Sequence, residues 1–193
     1  MHFYIFASHN KHKVRELNAI IGEQFQLLSL SDLNFEDEIP EPHPTLEENA
    51  IEKARTLHWI YPNHAIIAED TGLEVEALNH EPGVKTARYA NTGETADNIQ
   101  LLLDNMQNCS NRNAQFRTVI ALIWHGTEYF FEGIAEGTIA TQITGTQGFG
   151  YDPVFIPKGY DQTYAEMSDE LKNTISHRRK AADKLAHFLQ EHQ

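Results

Sequence analysis

The sequence predicts an α/β fold. Strand-then-helix units open the chain, a β-rich stretch fills its middle, and an amphipathic helix closes it. With 193 residues, 40% of them hydrophobic and 22% charged, the composition is that of an ordinary globular chain able to bury a core. Residues 1–193 read as one domain, with room for a small lobe. A net charge of −13 disfavours a nucleic-acid polymer as partner, because such a partner needs a basic face. It leaves open a small phosphorylated ligand held by a metal and a few local cations. Cys109 is the only cysteine, which excludes an intrachain disulfide and a cysteine zinc site. The opening MHFYIFASHNKHK has no basic leader, and no apolar run approaches membrane length. The expectation is a cytoplasmic chain with no membrane partner.

Residues 3–7 (FYIFA) are aromatic and β-branched, as a first strand should be. Ser8, His9 and Asn10 break it. Lys11 to Ile21 then read as a helix, with Val14, Leu17, Ile20 and Ile21 on one face and Gly22 as its stop. A helix N-terminus offers backbone N–H groups and partial positive charge to a phosphate, and Lys11 and Lys13 add full charges. Equally, SHNKHK reads as a polar cap with a solvated basic turn, since it contains neither a Walker A loop nor a GxGxxG. FQLL (25–28) is a second strand, and 29–44 an acidic, proline-rich loop carrying Glu41. Thr45 and Glu48 fit a capping box opening a helix to about Ile60, with Leu46, Ala50, Ile51, Ala54 and Leu57 as its stripe.

The central stretch is AIIAEDTGLEVEAL (65–78). Ala65 to Ala68 suit a buried strand, Thr71 and Gly72 read as a turn, and Leu73, Val75 and Ala77 alternate with Glu74 and Glu76. Between these pieces stand Glu69 and Asp70. Adjacent carboxylates in low dielectric raise each other's pKa unless a cation intervenes, and Mg²⁺ is a fitting one. The alternative is a solvated acidic turn.

Downstream, Pro82-Gly83 is a turn signal and Thr86, Arg88 and Tyr89 form a polar–aromatic cluster. Thr95 caps a helix to about Gln107. Residues 115–125 and 127–139 alternate around His125-Gly126-Thr127 as a hairpin or meander, with Phe116, Val119, Ala121 and Ile123 as core. In GTQGFGYDPVF the glycines permit close backbone approach, while Phe149 and Tyr151 either stack on a base or pack in the core. The last helix is marked by Ala181, Leu185, Phe188 and Leu189. Its start, Ser176-His177-Arg178-Arg179-Lys180, is basic against the helix dipole, and such a broken local rule hints at function. Lys172 lies close by in sequence.

Two cationic segments, an acidic centre and a glycine–aromatic loop suit a nucleotide with phosphates and Mg²⁺. HExxH and GxSxG are both absent. The ordered motifs SHNKHKVREL, TLEENAIEKA, AEDTGLEVEAL, PGVKTARYA, GFGYDPVF and SHRRKA together resemble the inosine/xanthosine triphosphate pyrophosphatase family, almost end to end. The resemblance implies an elongated central mixed β-sheet flanked by helices, two lobes with a nucleotide cleft between them, and a homodimer. It implies hydrolysis of non-standard purine nucleoside triphosphates (ITP, dITP, XTP) to monophosphate and pyrophosphate, with Mg²⁺ as cofactor. Other nucleoside triphosphates as substrates, or a silent nucleotide binder, are the alternatives.

By the same resemblance Asp70 is metal ligand and proton acceptor, and Glu41 and Glu69 are further metal ligands. Glu69 stands where the motif has Asp. Ser8, His9, Asn10, Lys11, His12 and Lys13 correspond to the phosphate-binding turn, with His9 in place of a glycine. Thr71, Phe149, Gly150, Tyr151, Asp152, Lys172, His177 and Arg178 correspond to further substrate contacts. Phe149 would stack on the base, and the C-terminal positions would read the 6-oxo purine edge.

Overall fold

In the computed structural model, which describes residues 3–21 and 25–192, the first strand β1 (Phe3–Phe6) runs straight into a polar turn and α1 (Lys11–Ile21). Gly22, the expected helix stop, lies outside the described residues. Strand β2 (Gln26–Ser29) pairs with β1 in parallel, and β1 pairs in parallel with β3 (Ala65–Val75), as the strand–helix–strand order requires. Between β2 and β3 lie the acidic loop and α2 (Leu46–Ile60). Thr45 caps α2 by accepting the Glu48 N–H, but the Glu48 carboxylate accepts from the Thr45 hydroxyl (2.8 Å) rather than from its backbone. The box therefore closes side chain to side chain.

After β3 come β4 (Pro82–Gly83), α3 (Thr95–Asn105), β5 (Asn113–Trp124), β6 (Thr127–Ile139), β7 (Phe155–Pro157), α4 (Asp169–Ile175) and α5 (His177–Glu191). Among the described residues the sheet order is β2-β1-β3-β5-β6-β7, with β4 on β3. β4 and β7 pair antiparallel with β3 and β6, so the sheet is mixed. His125 and Gly126 form the two-residue turn between β5 and β6, both with positive φ (50° and 75°), as a hairpin turn matching strand twist demands. Glu94, not Thr95, is the N-cap of α3. No described helix is long and apolar enough to cross a membrane.

The chain divides into two compact units. The first comprises residues 1–70, 118–133 and 178–193, the second 71–117 and 134–177. In the first, Leu17 and Ile21 of α1 and Ala181, Ala182, Leu185 and Leu189 of α5 pack with Tyr4, Phe6, Ile67, Ile120 and Leu122. In the second, Leu73, Val75, Phe116, Ile139, Val154, Phe155 and Tyr164 pack with Ile99 and Leu102 of α3. Phe116, Val119, Ala121 and Ile123 are buried as expected, but so are Ile120 and Leu122 between them, because this part of β5 is covered on both faces.

One expectation fails at the centre. Thr71 and Gly72 do not turn the chain, because β3 runs unbroken from Ala65 to Val75. Gly72 serves a close approach instead, since a Cβ there would stand 2.9 Å from the Gly83 carbonyl oxygen of β4. The obstacle is backbone and cannot swing aside. Gly72→Ala is therefore expected to cost about 1–3 kcal/mol, the range for overpacking. Thermal unfolding measures this, and an unchanged Tm would remove close approach as the reason for the glycine.

Candidate active site

Because β3 is continuous, Glu69 and Asp70 are neighbours on a strand and their side chains leave opposite faces of the sheet. Both are buried, 2% and 5% exposed. The contacts bear out this division. Glu69 meets α1 and α5, whereas Asp70 lies near α2.

On the Asp70 face stands Lys53, a residue that motif reading passes over. Its ammonium donates to Glu41 Oε1 (2.5 Å) and to the Glu69 backbone carbonyl (2.6 Å), and lies 3.9 Å from Asp70 Oδ1. Lys53 falls on the helical stripe between Ala50 and Leu57, and a lysine on a buried face needs a carboxylate partner. That was the available signal. The ammonium marks a pocket of hard oxygens that favours a cation. Glu41 and Asp70 suit Mg²⁺ as ligands. Among the described residues, however, no three acidic, histidine or cysteine side chains converge on a metal position. Two carboxylates suffice for an ion that completes its shell with water and substrate phosphate oxygens.

Glu69, expected as a third ligand, is engaged elsewhere. Arg178 donates from Nε to Glu69 Oε2 (2.8 Å) and from Nη2 to Oε1 (2.9 Å), while Lys13 Nζ lies 3.2 Å from Oε1. Burial pushes the Glu69 carboxyl up. The Arg178 and Lys13 charges and hydrogen bonds more than reverse this and hold it well below the usual range. A carboxylate gripped in this way on the face opposite Asp70 is an ion-pair partner of α1 and α5. Arg178 is itself only 1% exposed and also donates to Glu16. Burial lowers the guanidinium pKa, but Glu69 and Glu16 raise it overall. Arg178 thus joins two buried carboxylates, one on β3 and one on α1. Glu16 was missed by sequence reading, although it sits beside Leu17 at the edge of the α1 stripe.

The β1–α1 turn is built around Asn10, whose side-chain carbonyl accepts the N–H groups of His12 (3.0 Å) and Lys13 (3.2 Å). Asn10 is thus the helix cap, and Ser8 Oγ in turn accepts the Asn10 N–H. Lys11 and His12 are exposed. His9 needs no left-handed backbone. Its Nε2 lies 3.1 Å from the Asp37 carbonyl oxygen and its ring stacks loosely on Phe35, so it contacts the loop that carries Glu41.

In the second unit the GFGYD loop closes on Asp152. Its carboxylate accepts the Phe149 N–H (2.8 Å) and the Lys172 ammonium (2.7 Å), and both charged partners are 3% exposed. Gly148, with φ of 76°, is required there because a Cβ would fall 2.1 Å from Asp152 Oδ2. Lys172 lies over the Phe149 ring, 4.7 Å from its centroid, and 5.8 Å from that of Tyr164. The structure thus brings Phe149, Asp152 and Lys172 together, beside Gly150. Tyr151 does not join them. It is buried in the core, its hydroxyl donates to the Thr86 carbonyl (3.0 Å), and burial drives its pKa upward. His177 is also buried, stacked on Phe116 at 4.6 Å. Thr71 is half-buried on β3. Thr86, a member of the polar–aromatic cluster, accepts the Leu73 N–H (2.8 Å) and donates to the Gly83 carbonyl (2.6 Å), tying its loop to β3.

Comparison with known proteins gives consistent matches. The model of the Ham1 family matches residues 4–188. A dITP/XTP pyrophosphatase from Flavobacterium johnsoniae is 48% identical over 186 residues, covering 96% of each chain. Its namesake from Porphyromonas gingivalis is 46% identical with the same coverage. Among solved structures, the Staphylococcus aureus Ham1 protein superposes with a TM-score of 0.89 at 37% identity, covering 99% of this chain and 100% of that one. A HAM1 protein from Coxiella burnetii gives 0.90 at 34% identity with the same coverage.

Proposed function

The chain belongs to the Ham1 family, and from that membership we propose that it hydrolyses non-standard purine nucleoside triphosphates to the monophosphate and pyrophosphate. The observation that carries the reading is the pairing of Asp70 with Glu41 around the Lys53 ammonium, in a chain whose relatives are named dITP/XTP pyrophosphatases.

Asp70 and Glu41 would hold Mg²⁺, which when bound neutralises charge on the triphosphate. Asp70 orients or deprotonates the water that attacks the α-phosphorus. Lys53 keeps the two carboxylates apart from direct repulsion. Lys11 and Lys13 stabilise the charge on the departing pyrophosphate, and Ser8 and Asn10 shape their turn. Within the second unit, Phe149 offers a ring for stacking on a base, and Lys172 offers a donor that favours a 6-oxo group over a 6-amino group. Asp152 fixes both. We further assign the enzyme to the cytoplasm as a homodimer, which sedimentation and fractionation would check.

The test is pyrophosphate release from ITP, XTP, dITP, GTP and ATP, with Mg²⁺ and with EDTA. Strong release from the first three alone, lost in EDTA, is the expected result. Comparable release from all five would move the substrate class and keep the chemistry. Binding of ITP without release would overturn the enzymatic reading.

A further inference from the structure

Lys13 and Glu16 stand three residues apart on α1 and so lie on the same side of the helix. Glu69 and Arg178 complete a chain of alternating charge between them. The Lys13 ammonium meets Glu69 at 3.2 Å, Glu69 takes two bonds from Arg178, and Arg178 gives a third to Glu16. Glu16, Glu69 and Arg178 are 7%, 2% and 1% exposed. Three elements distant in sequence thus meet: the start of α1, the middle of β3 and the start of α5.

A buried ion cluster is a poor device for stability, since apolar packing of the same volume commonly serves as well or better. What the cluster does provide is registration. The turn preceding α1 and the first turn of α1 carry Ser8 to Lys13, and the residue following Glu69 is Asp70. The Glu69 carbonyl also holds Lys53, and through it Glu41. Any shift of Glu69 would therefore move the groups on both faces of β3. We propose that Glu16 is a positioning residue for the reaction. Acting through Arg178 and Glu69, it fixes the phosphate turn of α1 against the strand that bears Asp70, and so fixes the triphosphate against the attacking water. This inference rests on the pyrophosphatase reading above.

Misplacement of reacting groups by about 1 Å can cost on the order of 100-fold in rate. Glu16→Gln keeps the shape and removes the charge. It is expected to lower kcat for ITP at least tenfold and leave KM within threefold, because Glu16 touches no substrate. Glu16→Asp keeps the charge on a shorter arm and should fall between that variant and wild type. A Glu16→Gln kcat within twofold of wild type overturns the proposal, as does a rise in KM at unchanged kcat. If Glu16→Gln does not fold, Glu16→Asp decides, and a wild-type kcat in it overturns the proposal. Amide hydrogen exchange reads the same tie without turnover. Protection over 11–16 and 67–71 should fall together in Glu16→Gln while the Tm holds, and unchanged protection overturns the tie. Absence of pyrophosphate release from the wild-type enzyme would instead remove the functional reading and leave the exchange result standing.

Discussion

Asp70→Asn is expected to lower kcat for ITP about 10³-fold or more while the Tm stays within a few degrees of wild type. The amide is nearly the same size as the carboxylate but cannot accept a proton and binds a hard cation poorly. The fold survives because Lys53, the buried cation beside Asp70, keeps its bonds to Glu41 (2.5 Å) and to the Glu69 carbonyl (2.6 Å). No charge is left stranded. Steady-state kinetics with ITP, together with calorimetry, measures both halves. An Asn variant that turns over at the wild-type rate would take Asp70 out of the chemistry.

Asp152→Ala should act in the opposite manner, by damaging the fold and the Phe149–Lys172 arrangement together. It removes the carboxylate to which the Lys172 ammonium, itself 3% exposed, donates at 2.7 Å. Removing one member of a buried pair costs about 3–5 kcal/mol. The Phe149 N–H loses its acceptor at the same time. Against a typical total stability of about 5–15 kcal/mol, that is a large loss. Urea unfolding should show it, and KM for ITP should rise more than tenfold when assayed at low temperature. Asp152→Asn, which retains an acceptor for Phe149, should recover part of the loss. A variant with unchanged midpoint and KM would show that Asp152 organises neither the loop nor Lys172.

Much of the fold could be read before the structure because periodicity reports burial. The α1 and α2 stripes, the hairpin around His125-Gly126 and the final helix all follow from spacing alone. Gly72 misled because a glycine flanked by Thr and Leu looks the same in a turn as in a strand crowded by a neighbour. Only the approach of Gly83 tells the two apart. The candidate site was legible as a set of motifs but not as a set of roles. Adjacent acids suggest a joint metal site, yet in a continuous strand they face away from each other, and Glu69 goes to Arg178. Likewise GFGYD contains two aromatic rings with equal claims on a base. Tyr151 turns into the core, where its hydroxyl finds a carbonyl, and Phe149 stays with Lys172. Long-range ion pairs such as these leave no periodic trace, because each depends on a partner far along the chain.

Neither compact unit is a contiguous piece of chain, and the first one needs residues 178–193 to be whole. During synthesis the strand carrying Glu69 emerges long before Arg178, which lies 109 positions later. The first unit therefore cannot close behind the ribosome while the second is still being made. It must wait for residues 178–193. Loss of residues 178–193 would take Arg178 from the buried Glu69 carboxylate as well as remove a helix.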